Sequence, residues 1–155
     1  MTKTAIAIIG AAGERGAAIV KALSKGNFNL LLMEEDGEAL KRLTASLRRK
    51  KVQVSVISCA KDACWEADTV ILAVPHDEEI KAAKYVKDVV TQKLVISFAA
   101  KGTAQCQEEL EKLLPHSKVV QAVMDDNNQC YLSGSSEEAV REAEDLLKLV
   151  FEVRR

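Results

Sequence analysis

Two histidines and four cysteines are all that this chain of 155 residues offers a zinc-like metal. His76 and His116 lie far apart, and Cys59, Cys64, Cys106 and Cys130 show no Cys-x-x-Cys spacing. A zinc site is therefore not expected, and the metal complement is read as none. The thiols fall in or near apolar stretches, as free buried thiols do in a reducing cytoplasm. Charge excess is also lacking. A net charge of −1 gives neither nucleic acid nor a membrane surface an electrostatic reason to bind. The only strong basic run, Arg48-Arg49-Lys50-Lys51, ends a predicted helix, where cations complement the dipole. No stretch approaches the ~20 apolar residues of a bilayer span. The early apolar run from Ala5 to Ile9 is too short for a signal peptide, so a cytoplasmic location is expected. Linkers, repeats and low-complexity tracts are missing as well, which predicts a single domain over residues 1–155.

What the chain does have is alternation. Strand-length apolar runs occupy Thr4–Ile9, Phe28–Met33, Val52–Ile57, Thr69–Val74, Leu94–Phe98, Lys118–Val123 and Gln129–Leu132. The first, second, fourth and fifth are apolar at nearly every residue, as strands of a parallel sheet covered on both faces are. Between them, helical periodicity marks Arg15–Lys25, Glu38–Lys50 and Asp77–Val90, with stripes such as Leu40, Leu43 and Leu47. The last helix is introduced by Ser135 and Glu138 at capping-box spacing. Strands alternating with helices predict an α/β fold, three layers deep. Its doubly wound, mainly parallel sheet would have about six or seven strands, with helices on both faces.

The most informative stretch is Gly10-Ala11-Ala12-Gly13-Glu14-Arg15-Gly16, set between a buried strand and an alanine-rich helix. There, Gly10 permits a tight turn and Gly13 lets backbone N–H groups approach a pyrophosphate. Gly16 lets helix and strand pack closely, and the helix N-terminus faces the anion. Arg15 is within reach of a phosphate or is simply solvated. The second strand ends Met33-Glu34-Glu35-Asp36, where an acidic residue can accept hydrogen bonds from ribose hydroxyls. Glu34 is placed first for that role and Glu35 second. The fourth strand ends Ala73-Val74-Pro75-His76, beyond the carboxyl end where ligands of open α/β sheets sit. His76 either touches a ligand or merely starts a helix, and no catalytic residue is assigned.

Together AIIGAAGERG, EADTVILAVPHDEEI (66–80), KLVIS (93–97), LLPHSKVVQA (113–122) and YLSGSSEEAVREAEDLLKLV resemble the coenzyme F-420 (deazaflavin)-dependent NADP oxidoreductase family. The resemblance covers nearly the whole chain. It implies a Rossmann domain holding NADP(H) and hydride transfer between nicotinamide and a flavin-like ring. By position, Gly10 to Gly16 would hold the pyrophosphate. Ala73 to His76, with Ser97 and Phe98, would surround the nicotinamide end. Three segments depart from the family pattern. Glu34-Glu35 replace a Ser-Arg pair for the 2′-phosphate, which turns the residue-level preference from NADP toward NAD. The run Ser97 to Gly102 replaces an Asn-Pro loop, and Gln121 to Met124 replaces a Lys-Ala-Phe-Asn segment. The chain also stops at Arg155, where the family adds elements that close the substrate site and build a homodimer. The expectation is an NAD(P)H-dependent oxidoreductase with a small-molecule hydride acceptor, or the cofactor-binding part of one. The alternative is a non-catalytic dinucleotide sensor. A short-chain-dehydrogenase reading is disfavoured, because Tyr85 begins no Tyr-x-x-x-Lys motif.

Overall fold

In the computed structural model, which describes residues 4–47, 53–98, 104–127 and 129–154, strand and helix alternate from the first described residue to Met124. The first half runs β1 (Thr4–Ile9), α1 (Glu14–Leu23), β2 (Phe28–Met33), α2 (Gly37–Leu47), β3 (Gln53–Val56), α3 (Ala60–Glu66) and β4 (Thr69–Leu72). The second half runs α4 (His76–Val86), a 3-10 turn (Lys87–Val89), β5 (Leu94–Ser97) and α5 (Ala104–Leu113). It ends with β6 (Lys118–Met124), β7 (Gln129–Ser133), α6 (Glu137–Leu147) and β8 (Glu152–Arg154).

These strands form one eight-stranded sheet in the order β3-β2-β1-β4-β5-β6-β7-β8. All neighbours are parallel except β6 and β7. β4 and β5 are buried at every position, because helices cover both faces of the sheet and leave alternating polar residues no place. One apolar cluster joins Ile6, Ile8, Leu30, Ile71 and Ile96 to Ile19 and Leu23 of α1, Leu40 and Leu43 of α2, and Leu147 of α6. On the other face Ala7, Val70, Leu72 and Val95 meet Ala63 of α3, Ala83 of α4 and Leu110 of α5.

The doubly wound α/β architecture expected from the sequence is present, with one strand more than expected. β8 was not anticipated because only three residues pair and only Val153 among them is half-buried. α3 and α5 were also not expected. The first buries only Ala60, Ala63 and Cys64, and the second only Gln107 and Leu110, too little apolar surface to print a period. The cap of α6 is Ser136 rather than Ser135. Its hydroxyl accepts from the Ala139 N–H at 3.3 Å, so the cap lies one residue later than expected and, with alanine at 139, the expected capping box does not form. The basic run Arg48 to Lys51 and the segment Ala99 to Gly102 lie outside the described residues.

Candidate functional site

The sheet order reverses between β1 and β4, and the crevice beyond their carboxyl ends is where such sheets bind ligands. Strand register sets the row of residues that reaches it. Met33, Ile9, Leu72, Ser97 and Gln121 align across five strands. Of the residues that follow them, Glu34, Gly10 and Ala73 border the crevice, and backbone hydrogen bonds continue past the strand ends. The Gly10 N–H donates to the Met33 carbonyl, the Ala73 N–H to Ile9 and the Phe98 N–H to Leu72, each at 2.9 Å.

The three glycines of the turn differ in what they do. Gly10 has φ +83°, and a Cβ there would sit 2.5 Å from Val74 and 2.7 Å from the Ala73 carbonyl oxygen. At Gly16 a Cβ would lie 1.8 Å from the Gly10 carbonyl oxygen, so α1 crosses β1 only because that position lacks a side chain. Gly13 is under neither constraint. Its φ of −67° and ψ of 169° suit any residue, and a Cβ would touch only the Gly10 carbonyl oxygen, at 3.5 Å. It is the N-cap of α1 and supplies no side-chain cap, which leaves first-turn N–H donors open toward the crevice.

Two cavities divide the crevice. One of about 570 Å³ is lined by Gly10, Met33, Glu34, Cys59, Val74 and Tyr85, among others. The other, of about 580 Å³, is lined by Gly13, Glu14, Arg15, Ala73, Val74 and Pro75, with Met124 and Asp125 opposite. Gly10, Glu34, Val74 and Glu78 border both, so they meet over the glycine turn. Together they make an elongated cleft of a size suited to a small-molecule cofactor. The N-terminus of α1, at Gly13, opens onto it.

Most of the residues expected at the site meet here. Ala11 is buried in the turn, with its N–H on the Met33 carbonyl at 3.2 Å. The Ala12 N–H donates to Glu34 Oε1 at 3.0 Å, and Glu34 Oε2 accepts from the Asp36 N–H at 3.3 Å. Glu34 thus leans from the end of β2 onto the glycine turn. Arg15 reaches over the second cavity and donates from Nη1 to the Phe98 carbonyl. The Phe98 ring itself is buried in the α1 side of the core.

His76 and Ser97 lie elsewhere. Neither lines the two cavities; both turn toward Glu79 on α4. Glu79 is 0 % exposed, accepts from the Ser97 hydroxyl and sits 3.0 Å from His76 Nδ1. His76 Nε2 is 3.2 Å from Glu109 Oε2 of α5. Burial pushes the Glu79 pKa up, with Ser97 and His76 holding it back in part. Burial works against charge on His76, but Glu79 and Glu109 outweigh it and raise its pKa above 6.5.

Residues not anticipated from the sequence include Cys59, Glu78, Lys81, Tyr85 and Asp125 along the cleft, and Glu79 beside it. The Asp62 N–H, then that of Lys61, and the Tyr85 hydroxyl lower the Cys59 pKa. Buried Cys64, by contrast, is pushed up to about 12. For Glu79 a signal existed, since His76-x-x-Glu79 is the i, i+3 spacing of helix neighbours.

A family model for the coenzyme F420-dependent NADP oxidoreductases matches residues 5–101, more than half of the chain. The chain belongs to that family. The F420-dependent NADP reductase of Methanocaldococcus jannaschii is 27% identical over 124 residues, covering 76% of this chain and 56% of that protein. This family member therefore spans about half the length of the curated relative it matches. A protein of Arthrobacter sp. assigned as an F420-dependent NADP-reductase superposes with a TM-score of 0.78 at 16% identity, over 98% of this chain and 83% of that one. The pyrroline-5-carboxylate reductase of Coxiella burnetii superposes with a TM-score of 0.73 at 20% identity, over 99% of this chain and 58% of that one. At such identities the likeness is one of fold, and the fold is the Rossmann one. Among the described residues no helix is long and apolar enough to cross a membrane.

Proposed function

We propose that the chain binds a nicotinamide dinucleotide across the two cavities and orients it for hydride transfer to a small-molecule acceptor. The observation that carries this reading is Gly13. It is open where its neighbours Gly10 and Gly16 are sterically obliged, and it caps a helix whose first donors face the cleft. In this arrangement Gly13 and the first turn of α1 hold the pyrophosphate. Glu34 and Glu35 border the adenosine side, and Ala73, Val74 and Pro75 wall the nicotinamide side. The nicotinamide, when bound, supplies or accepts the hydride. Arg15, tied to Phe98, closes the wall next to it. Orientation is what such a transfer chiefly needs from the protein.

The charges of the cleft favour NAD(H) over NADP(H), against the name of the family. The second reading, a dinucleotide sensor without turnover, draws support from the nicotinamide-side cavity. Its ionisable lining among the described residues is four carboxylates and Arg15, the one cation being already held by the Phe98 carbonyl. Calorimetric titration with NADH and NADPH tests binding. Oxidation of the bound dinucleotide by flavin, deazaflavin or quinone separates the two readings. Absence of any dinucleotide binding would refute both.

A further inference from the structure

Both ring nitrogens of His76 face carboxylates, Nδ1 to Glu79 at 3.0 Å and Nε2 to Glu109 at 3.2 Å. A neutral imidazole has one donor and one acceptor, so it satisfies one carboxylate and turns a lone pair toward the other. With both glutamates ionised, only the imidazolium donates to both. Glu79 is completely buried and also takes the Ser97 hydroxyl. The result is a chain of contacts from the end of β5, through α4, to α5. It joins the residue after Pro75 to the residue before Phe98. Those two neighbours belong to the walls of the proposed nicotinamide cavity: Pro75 lines it, and the Phe98 carbonyl anchors Arg15. Among the described residues, the charged groups that meet the ring are Glu79 from its own helix and Glu109 from α5. β5 contributes only the uncharged Ser97, through Glu79.

We propose that His76, held as an imidazolium between Glu79 and Glu109, is a positioning residue that ties the β4–α4 turn to β5 and α5 and thereby sets the dinucleotide affinity of the cleft. The inference rests on the binding reading above. Loss of the proton forfeits one of the two contacts, and the exposed one to Glu109 is the weaker hold. The turn Ala73 to Pro75 is then tied on one side only. Dinucleotide affinity therefore falls as pH rises through the His76 titration. The sign follows from the raised His76 pKa: the clamp is complete below the ordinary imidazole value and lost above the folded-state one.

The protonation is read on the full chain by ¹⁵N-edited NMR of the two imidazoles, assigned with His76→Gln. His76 is expected to keep both nitrogens protonated to higher pH than an ordinary imidazole, and a titration at or below the ordinary range would overturn the proposal. Affinity for NADH, measured by calorimetry between about pH 6 and pH 8.5, is expected to weaken about fivefold across the titration. In Glu109→Gln the midpoint of that profile moves to lower pH, which a purely structural contact would not cause. Binding that is flat with pH, or a midpoint unmoved in Glu109→Gln, would sink this inference alone. A protein that binds no dinucleotide at any pH would take the functional reading down with it.

Discussion

At the scale of single residues, similar glycines have unlike reasons to be glycine. The spacing Gly10, Gly13, Gly16 announces a phosphate turn, but it does not say which position serves the backbone and which serves a ligand. Their surroundings separate them. A methyl at Gly16 would be driven into the Gly10 carbonyl oxygen, and backbone cannot swing aside as a side chain can. Gly16→Ala is expected to cost about 3 kcal/mol, the upper part of the overpacking range. For a chain of this length that lowers Tm by roughly 6–12 °C. Gly13→Val meets no such obstacle, and its cost is the poorer N-cap, about 1 kcal/mol or about 2–4 °C. It should nonetheless abolish dinucleotide binding, because its branches fill the space beside the open N–H groups. Thermal melts and calorimetry on both variants decide the matter. Wild-type affinity in a folded Gly13→Val protein would refute the phosphate turn. The roles of His76 and Ser97 were not legible in this way. Ser97 ends β5 and His76 follows the end of β4, which put them near the site, but the direction of each side chain depends on a buried glutamate that only packing reveals.

At the scale of elements, legibility followed buried apolar area. β1, β2, β4 and β5 carry four or more buried or half-buried residues each, and all were foreseen. α2, with Leu40, Leu43 and Leu47 on one side, was foreseen too. α3 is read poorly because alanine and cysteine fill its contact face, and β8 because three residues cannot show a period. Helix ends are set by local hydrogen bonds, which composition resolves only to within a residue or two. α6 is an example. Ser135 and Ser136 both precede the helix, and the glutamate at 138 favoured the former on spacing. The observed bond runs from the Ala139 N–H to the Ser136 hydroxyl. Ser136→Ala is therefore expected to destabilise the protein by about 1 kcal/mol, the ordinary worth of such a cap. Ser135→Ala should stay within about 0.5 kcal/mol of the parent. Urea melts of the two variants check this, and equal losses would show that the cap is shared.

At the scale of the whole molecule, a nearly neutral chain keeps an uneven charge distribution. Glu34, Glu35 and Glu78 border the cavity beside Cys59 and Tyr85 against a single Lys81. Glu14 and Asp125 add to the other side, where Arg15 is already engaged with Phe98. The basic side chains nearest in sequence do not redress this. Lys41 is exposed beside Glu38 at 3.9 Å, and Arg42 lines a separate groove between α1 and α2. Into this cleft NADP would bring a 2′-phosphate of nearly two further negative charges. At 4 Å from a carboxylate each charge pair costs about 4 kcal/mol at an effective dielectric near 20. Glu35 is exposed and Glu34 half-buried, so solvent takes most of that away. What is left is expected to favour NADH over NADPH by about tenfold, or ~1.4 kcal/mol. Glu34→Ser with Glu35→Arg should reverse the preference, since it removes repulsion and adds a guanidinium fork. That exchange also frees the Ala12 N–H from Glu34, which opens a further donor to an anion at the turn. Competitive titration of both dinucleotides on parent and double variant is the test. A parent that already prefers NADPH would mean that Glu34 leaves the ribose to others and serves only to brace the glycine turn.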